Sequence, residues 1–78
     1  MTQEMTQTLE SFQKRFKEIV QFNQDKYLQS VRLSALVTDL ETVFQIPLQG
    51  MERIEAFKRA FPEVFAFYKN VKRVGGIA

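Results

Sequence analysis

"DKYLQSVRLSALVTDLETVFQIP", residues 25–47, decides how this chain folds. It holds no glycine, and its only proline is the last residue. Turned at about 100° per residue, its apolar side chains fall on two sides. Tyr27, Leu28, Val31 and Ala35 share one side; Leu33, Leu36, Val37, Leu40, Val43 and Phe44 gather roughly opposite. A helix that is apolar on two faces is expected to pack on two neighbours. A helix from about Asp25 to Phe44 is therefore placed at the centre of the fold. Ser30 and Ser34 suit a close helix approach or a bend, and Thr38, Asp39 and Glu41 mark the side expected to be exposed. Ile46-Pro47 stops this helix, because a residue before proline is pushed out of the α region and proline suits the start of the next helix. "IPLQG" (46–50) reads as a connection, with a restart near Pro47, and Gly50 permits a tight turn.

On the N-terminal side, Met5, Leu9, Phe12, Phe16 and Ile19 recur at alternating spacings of four and three, which predicts a helix over about Thr6 to Phe22. Two heptads are too short for a free coiled coil, so a bundle is expected. The next seam position is Asn23, a polar residue that either ends the helix or fixes register. On the C-terminal side, a third helix is expected over about Met51 to Ala60, with Met51, Ile54, Phe57 and Phe61 on one side. Pro62 removes an internal hydrogen bond and clashes with the preceding turn. Glu63 suits the positive end of a new helix, and Lys69, Lys72 and Arg73 suit its negative end. A fourth helix thus runs from Pro62 to about Val74, stopped by Gly75 and Gly76. The three-four spacing of Ile54, Phe57, Phe61, Val64, Tyr68 and Val71 continues through Pro62, as one kinked helix would also allow; two helices are the preferred reading. The expected fold is an all-α compact bundle of three to four helices, one domain over 1–78, with 1–5 and 75–78 frayed.

The 78 residues suffice for one small domain, and at this size burial alone leaves stability marginal. There is no cysteine and no histidine, so neither a disulfide nor a common zinc site supplies a staple. Tight packing or oligomerisation remains. No apolar run is long enough to span a membrane. The polar start, "MTQEMTQTLES" (1–11), lacks a signal-peptide core. Together with the missing cysteines, this points to a cytoplasmic protein. The net charge is only +2, from 11 basic and 9 acidic residues. Lys14, Arg15 and Lys17 fall on different sides of their helix, and Arg53, Lys58 and Arg59 are interleaved with Glu52 and Glu55. That is a solvated surface rather than a nucleic-acid footprint.

Enzyme chemistry is not expected. The commonest general base and the thiol nucleophile are absent, Ser11, Ser30 and Ser34 have no base nearby in sequence, and no glycine-rich phosphate loop exists. Glu52 and Glu55 share a helix face at i, i+3, but dimetal bundles add histidine to such pairs, and Arg53 makes a solvated ion-pairing face the simpler reading. No catalytic residue, cofactor or metal is assigned.

Three resemblances bear on function. "LVTDLETVFQIPLQGMERIEAF" (36–57) resembles the end of a phage-repressor-type helix-turn-helix through Leu40, Val43, Phe44, Ile46 and Leu48. That resemblance implies DNA binding through Gln49, Glu52 and Arg53, but the turn glycine comes late, at Gly50, and few base-reading side chains follow. In size and charge the chain is similar to small basic immunity proteins against bacteriocins, which would imply action at a membrane surface; its glutamates argue against interfacial helices. "RLSALVTDLETVFQIPL" (32–48) with "PEVFAFYKNVKR" (62–73) resembles small uncharacterised all-helical proteins of Gram-positive bacteria. The matching features are Leu36, Glu41, Ile46-Pro47, Val64, Tyr68 and Arg73, and the resemblance implies a compact bacterial helical protein without an assigned activity.

The segment "RAFPEVFAFYKNVKR" (59–73) sets the partner question. Phe61, Val64, Phe65, Tyr68 and Val71 make one helix face, and Phe67 lies about 100° away, beside Val71 and Val74. Phe67 either packs on the N-terminal helix of its own chain or extends the apolar surface towards another chain. The expected interface is Phe65, Phe67, Val71 and Val74, with Phe12 and Phe16 as the opposing seam. The function expected is a non-enzymatic, self-associating protein, a homodimer or the partner of another helical protein, with a regulatory role compatible with this description. Tyr68 needs a partner for its hydroxyl or a route to water.

Overall fold

The computed structural model describes residues 1–22 and 25–77 of the chain. The alternative roles expected for Asn23 lie outside the described residues. Among the described residues four helices follow one another: α1 (Gln3–Phe22), α2 (Lys26–Val43), α3 (Met51–Ala60) and α4 (Pro62–Gly75). The all-α bundle expected from the periodicity is the observed fold.

The helix ends have local causes. α1 begins three residues earlier than its apolar seam predicts. Thr2 acts as its cap: the Met5 amide donates to Thr2 Oγ1 at 3.1 Å, and the Thr6 amide donates to the Thr2 carbonyl at 3.0 Å. Asp25 caps α2, its carboxylate accepting from the amides of Tyr27 and Leu28. At the other end of α2, Phe44 donates to the Leu40 carbonyl and Ile46 to that of Glu41. Closing this turn puts Gln45 at φ 53°, in the left-handed region where a glycine usually stands. No helix restarts at Pro47; the chain runs on to Gly50, at φ 89°, and α3 begins at Met51. Ile46 turns inward in this connection and is buried.

Pro62 separates α3 from α4, as the two-helix reading requires. Phe61 leaves helical geometry (φ −132°, ψ 65°), its amide closing α3 on Phe57 and its carbonyl opening α4 towards Phe65. α4 ends one residue beyond the expected Val74. Gly75 is still helical, and a Cβ there would stand 3.2 Å from Leu33 Cβ, so its lack of a side chain lets α4 approach α2. Gly76 is the left-handed cap (φ 65°), with Ile77 donating to the Lys72 carbonyl.

α2 packs on both α1 and α4, α1 also touches α4, and the backbone of α3 lies beside that of α4. α2 is thus central, but for a different reason from the one its sequence suggests. Both neighbours lie on the side of Leu33, Leu36, Val37, Leu40 and Phe44, all buried. That arc is wide enough to seat two helices. The other apolar side faces solvent: Tyr27, Leu28 and Val31 are 75%, 45% and 49% exposed, and Ala35 is exposed too.

The core joins all four helices. Leu33, Leu36, Leu40, Val64 and Val71 are fully buried, each contributing about 1.5–3 kcal/mol relative to exposure. The α1 seam holds as expected, with Leu9, Phe12 and Ile19 buried and Met5 and Phe16 packed beside them. Among the described residues no polar or charged residue is buried.

Candidate interaction surface

Most of the residues expected at an interface lie inside the chain itself. Phe12 is buried against Phe44, ring centroids 5.9 Å apart. Phe16 and Phe67 meet edge to face at 5.6 Å and 90°, so Phe67 meets α1 of its own chain. Phe65 packs between Phe57 and Tyr68. Val71 is fully buried, and only Val74 of the six is exposed. These contacts fill the wide apolar arc of α4 from within: α2 and α1 cover most of it, and α3 covers the Phe61 and Phe65 end.

Two acidic residues expected to mark the exposed side of α2 instead tie helices together. Asp39 Oδ2 accepts from Arg15 Nη1 of α1 at 2.7 Å. Both side chains are about half exposed, which makes this a surface pair of modest strength. Glu41 Oε2 accepts from the Tyr68 hydroxyl at 2.6 Å, linking α2 to α4. Tyr68 is buried, and burial first, then the hydrogen bond and the charge of Glu41, raise its phenol pKa well above the usual value near 10. The phenol therefore finds its partner in Glu41. Lys72 lies over the Tyr68 ring at 5.0 Å and Lys69 over Phe65 at 6.0 Å.

The other candidates sit in water. Glu52 and Glu55 are exposed on α3, along a shallow depression shared with Arg59. Gln49 and Arg53 are exposed as well. Among the described residues, no three side chains of histidine, cysteine, aspartate or glutamate gather as a metal site, and no helix is long and apolar enough to cross a membrane.

The outward side of α2 is the surface that sequence periodicity did not place correctly. It carries Tyr27, Leu28, Val31, Ser34, Ala35, Thr38 and Thr42, none of them charged and all open to solvent at least in part. Its two threonine hydroxyls are already occupied within the helix, Thr38 donating to the Ser34 carbonyl at 3.1 Å and Thr42 to the Thr38 carbonyl at 3.0 Å. Between α1 and α2, beside this strip, lies a groove of about 300 Å³ lined by Arg15, Glu18, Ile19, Arg32 and Ala35. Further exposed apolar residues stand at the two ends of the helix: Val20 and Phe22 on the last turn of α1, and Val43, Leu48 and Met51 about the α2–α3 connection. The signal in the sequence was the absence of charge along one side of α2, a pattern that covering by a second chain produces as readily as covering by the same one.

Fold and surface together define a small four-helix protein with one uncharged, partly apolar helix face turned outward. In comparisons with protein-family models, with curated proteins and with solved structures, nothing matches the chain.

Proposed function

We propose that this protein is a non-enzymatic helical protein that acts through protein–protein contact and associates with itself. The observation that carries the reading is the outward face of α2, where Tyr27, Leu28 and Val31 stand in solvent on a strip without charge. Phe22 at the end of α1 and Tyr27 at the start of α2 are both aromatic side chains open to water, 77% and 75% exposed, and exposed apolar surface of this kind marks contact sites where it is contiguous. The non-enzymatic part of the reading rests on the residue inventory, which offers neither imidazole nor thiol. A cytoplasmic setting is part of the same proposal.

Multi-angle light scattering at micromolar concentration tests it: a mass of two chains supports the proposal, and a mass of one chain at every concentration removes it. DNA binding through Leu36–Phe57 has less support. A helix-turn-helix packs its two helices on each other across a turn of about 3–4 residues, whereas the backbone of α3 lies close to that of α4 and not to that of α2, and the α2–α3 connection runs from Phe44 to Gly50.

A further inference from the structure

Given self-association, the remaining question is which surface meets which, and the outward face of α2 carries its own answer. Along its middle the strip runs Tyr27, Val31, Ser34, Ala35, Thr38, Thr42, with Leu28 on one edge. Reversed about the point between Ser34 and Ala35, this set falls back on itself. Tyr27 comes opposite Thr42, Val31 opposite Thr38, and Ser34 opposite Ala35. Reversal sets the large Tyr27 against the smaller Thr42, and pairs Val31 with the near-isosteric Thr38 and Ser34 with the equally small Ala35. A surface that is complementary to its own reversal is what a two-fold dimer requires.

The flanking charges agree. In an antiparallel helix pair the same flank of each helix faces its counterpart, whereas in a parallel pair opposite flanks meet. Arg32 and Asp39 lie on one flank of the strip, about 20° apart at 100° per residue. Antiparallel pairing brings Arg32 within about 3 Å, along the axis, of the level of the second copy's Asp39. It does so twice, by symmetry. Arg32 makes no hydrogen bond or ion pair among the described residues, and Asp39 uses only Oδ2 on Arg15. Parallel pairing would instead set the Asp39 flank against the flank of Glu41, a like charge two residues along. The two threonine hydroxyls are satisfied inside the helix, so covering them strands neither, and the hydroxyls of Tyr27 and Ser34 are the donors of the strip that need water or a partner across the contact.

We propose that α2 pairs with α2 of a second copy, antiparallel, about a two-fold axis between Ser34 and Ala35. This rests on the self-association proposed above and adds the face and the direction. The 18 residues of α2 give a contact about 27 Å long. One helix face falls short of the roughly 800 Å² per partner of tight complexes, so the dimer dissociates on dilution.

Disulfide trapping tests the pairing directly, because the chain has no cysteine of its own. The Ala35→Cys chain, beside the axis, is expected to cross-link to itself under mild oxidation. The Leu28→Cys chain is expected not to, since antiparallel pairing holds its two copies about 20 Å apart along the axis, beyond disulfide reach. A mixture of Tyr27→Cys and Thr42→Cys chains is expected to cross-link as a heterodimer. Arg32→Glu is expected to weaken association several-fold. Self-linking of Leu28→Cys as efficient as that of Ala35→Cys would overturn the direction. A two-chain mass with no Ala35→Cys product would overturn the face while leaving self-association standing, and a one-chain mass would remove both.

Discussion

Replacing Tyr68 by phenylalanine removes one oxygen from the interior and leaves the ring in place. That oxygen is the donor by which α4 reaches Glu41, at 2.6 Å. A hydrogen bond to a charged group contributes about 1.5–3 kcal/mol when buried. Glu41 is only half-buried and can recover water once the phenol is gone, so the loss is expected at the lower end, about 1–1.5 kcal/mol. In a domain of this size that lowers Tm by roughly 4–8 °C per kcal/mol. Urea unfolding followed by circular dichroism at pH 7 measures it. The phenol adds a second signature. Its folded-state pKa is raised above the unfolded value near 10, so its stabilisation is complete below pH 10 and is lost as pH rises through the folded-state value. Above pH 10 the unfolded chain releases a proton that the folded chain keeps, and folding weakens by up to about 1.4 kcal/mol per pH unit. A Tyr27→Phe background leaves Tyr68 as the only tyrosine. In that background the stability advantage of the chain that keeps Tyr68 over the chain that also carries Tyr68→Phe, measured as paired unfolding curves, should narrow above pH 10 and close about one unit higher. A gap that stays constant from about pH 8 to 11, or a Tyr68→Phe chain as stable as the parent at pH 7, refutes the reasoning.

Two backbone substitutions should act in opposite directions. Gln45 holds φ 53° at the end of α2; Gln45→Gly relieves that strain against a smaller entropy cost and should raise stability by about 0.5–1 kcal/mol, read as a higher urea midpoint with unchanged slope. Gly75 is the last residue of α4, where alanine would gain at most about 1 kcal/mol of helix propensity if the site were open. A Cβ there meets Ile77 Cδ1 at 3.0 Å and Leu33 Cβ at 3.2 Å, so Gly75→Ala should destabilise by about 1 kcal/mol net through overpacking; a rise in Tm would show that α4 can move away from α2 freely.

The helix breaks were legible because proline and glycine act locally. Pro62 separated α3 from α4 wherever the rest of the chain lay, Pro47 bars the helix from running past Ile46 although α2 already ends at Val43 through the left-handed turn at Gln45, and α3 came out at Met51–Ala60 as its spacing predicts. The α1 seam was legible for the same reason that its periodicity survives folding. What was not legible depends on where α2's neighbours stand. Periodicity identifies an apolar face but not what covers it, so Tyr27, Leu28, Val31 and Ala35 read as a second packing face within the chain. Asp39 and Glu41 read as solvent markers because their partners, Arg15 and Tyr68, are 24 and 27 residues distant. Phe67 could meet its own chain or another; the position of α1 gave it Phe16. The apolar arc of α4 was thereby satisfied internally, and the candidate surface moved to the far side of α2.

Sedimentation equilibrium of the parent chain beside Val31→Glu shows whether two copies associate through the outward face of α2. Val31 is exposed near the middle of the strip, so the substitution leaves the core untouched and places a charge on the uncharged outward face of α2. The parent mass is expected to approach two chains at micromolar concentration and to fall on dilution, with Val31→Glu at one chain throughout and equally helical. A parent that stays at one chain, or a Val31→Glu chain that associates as strongly as the parent, contradicts association through that face.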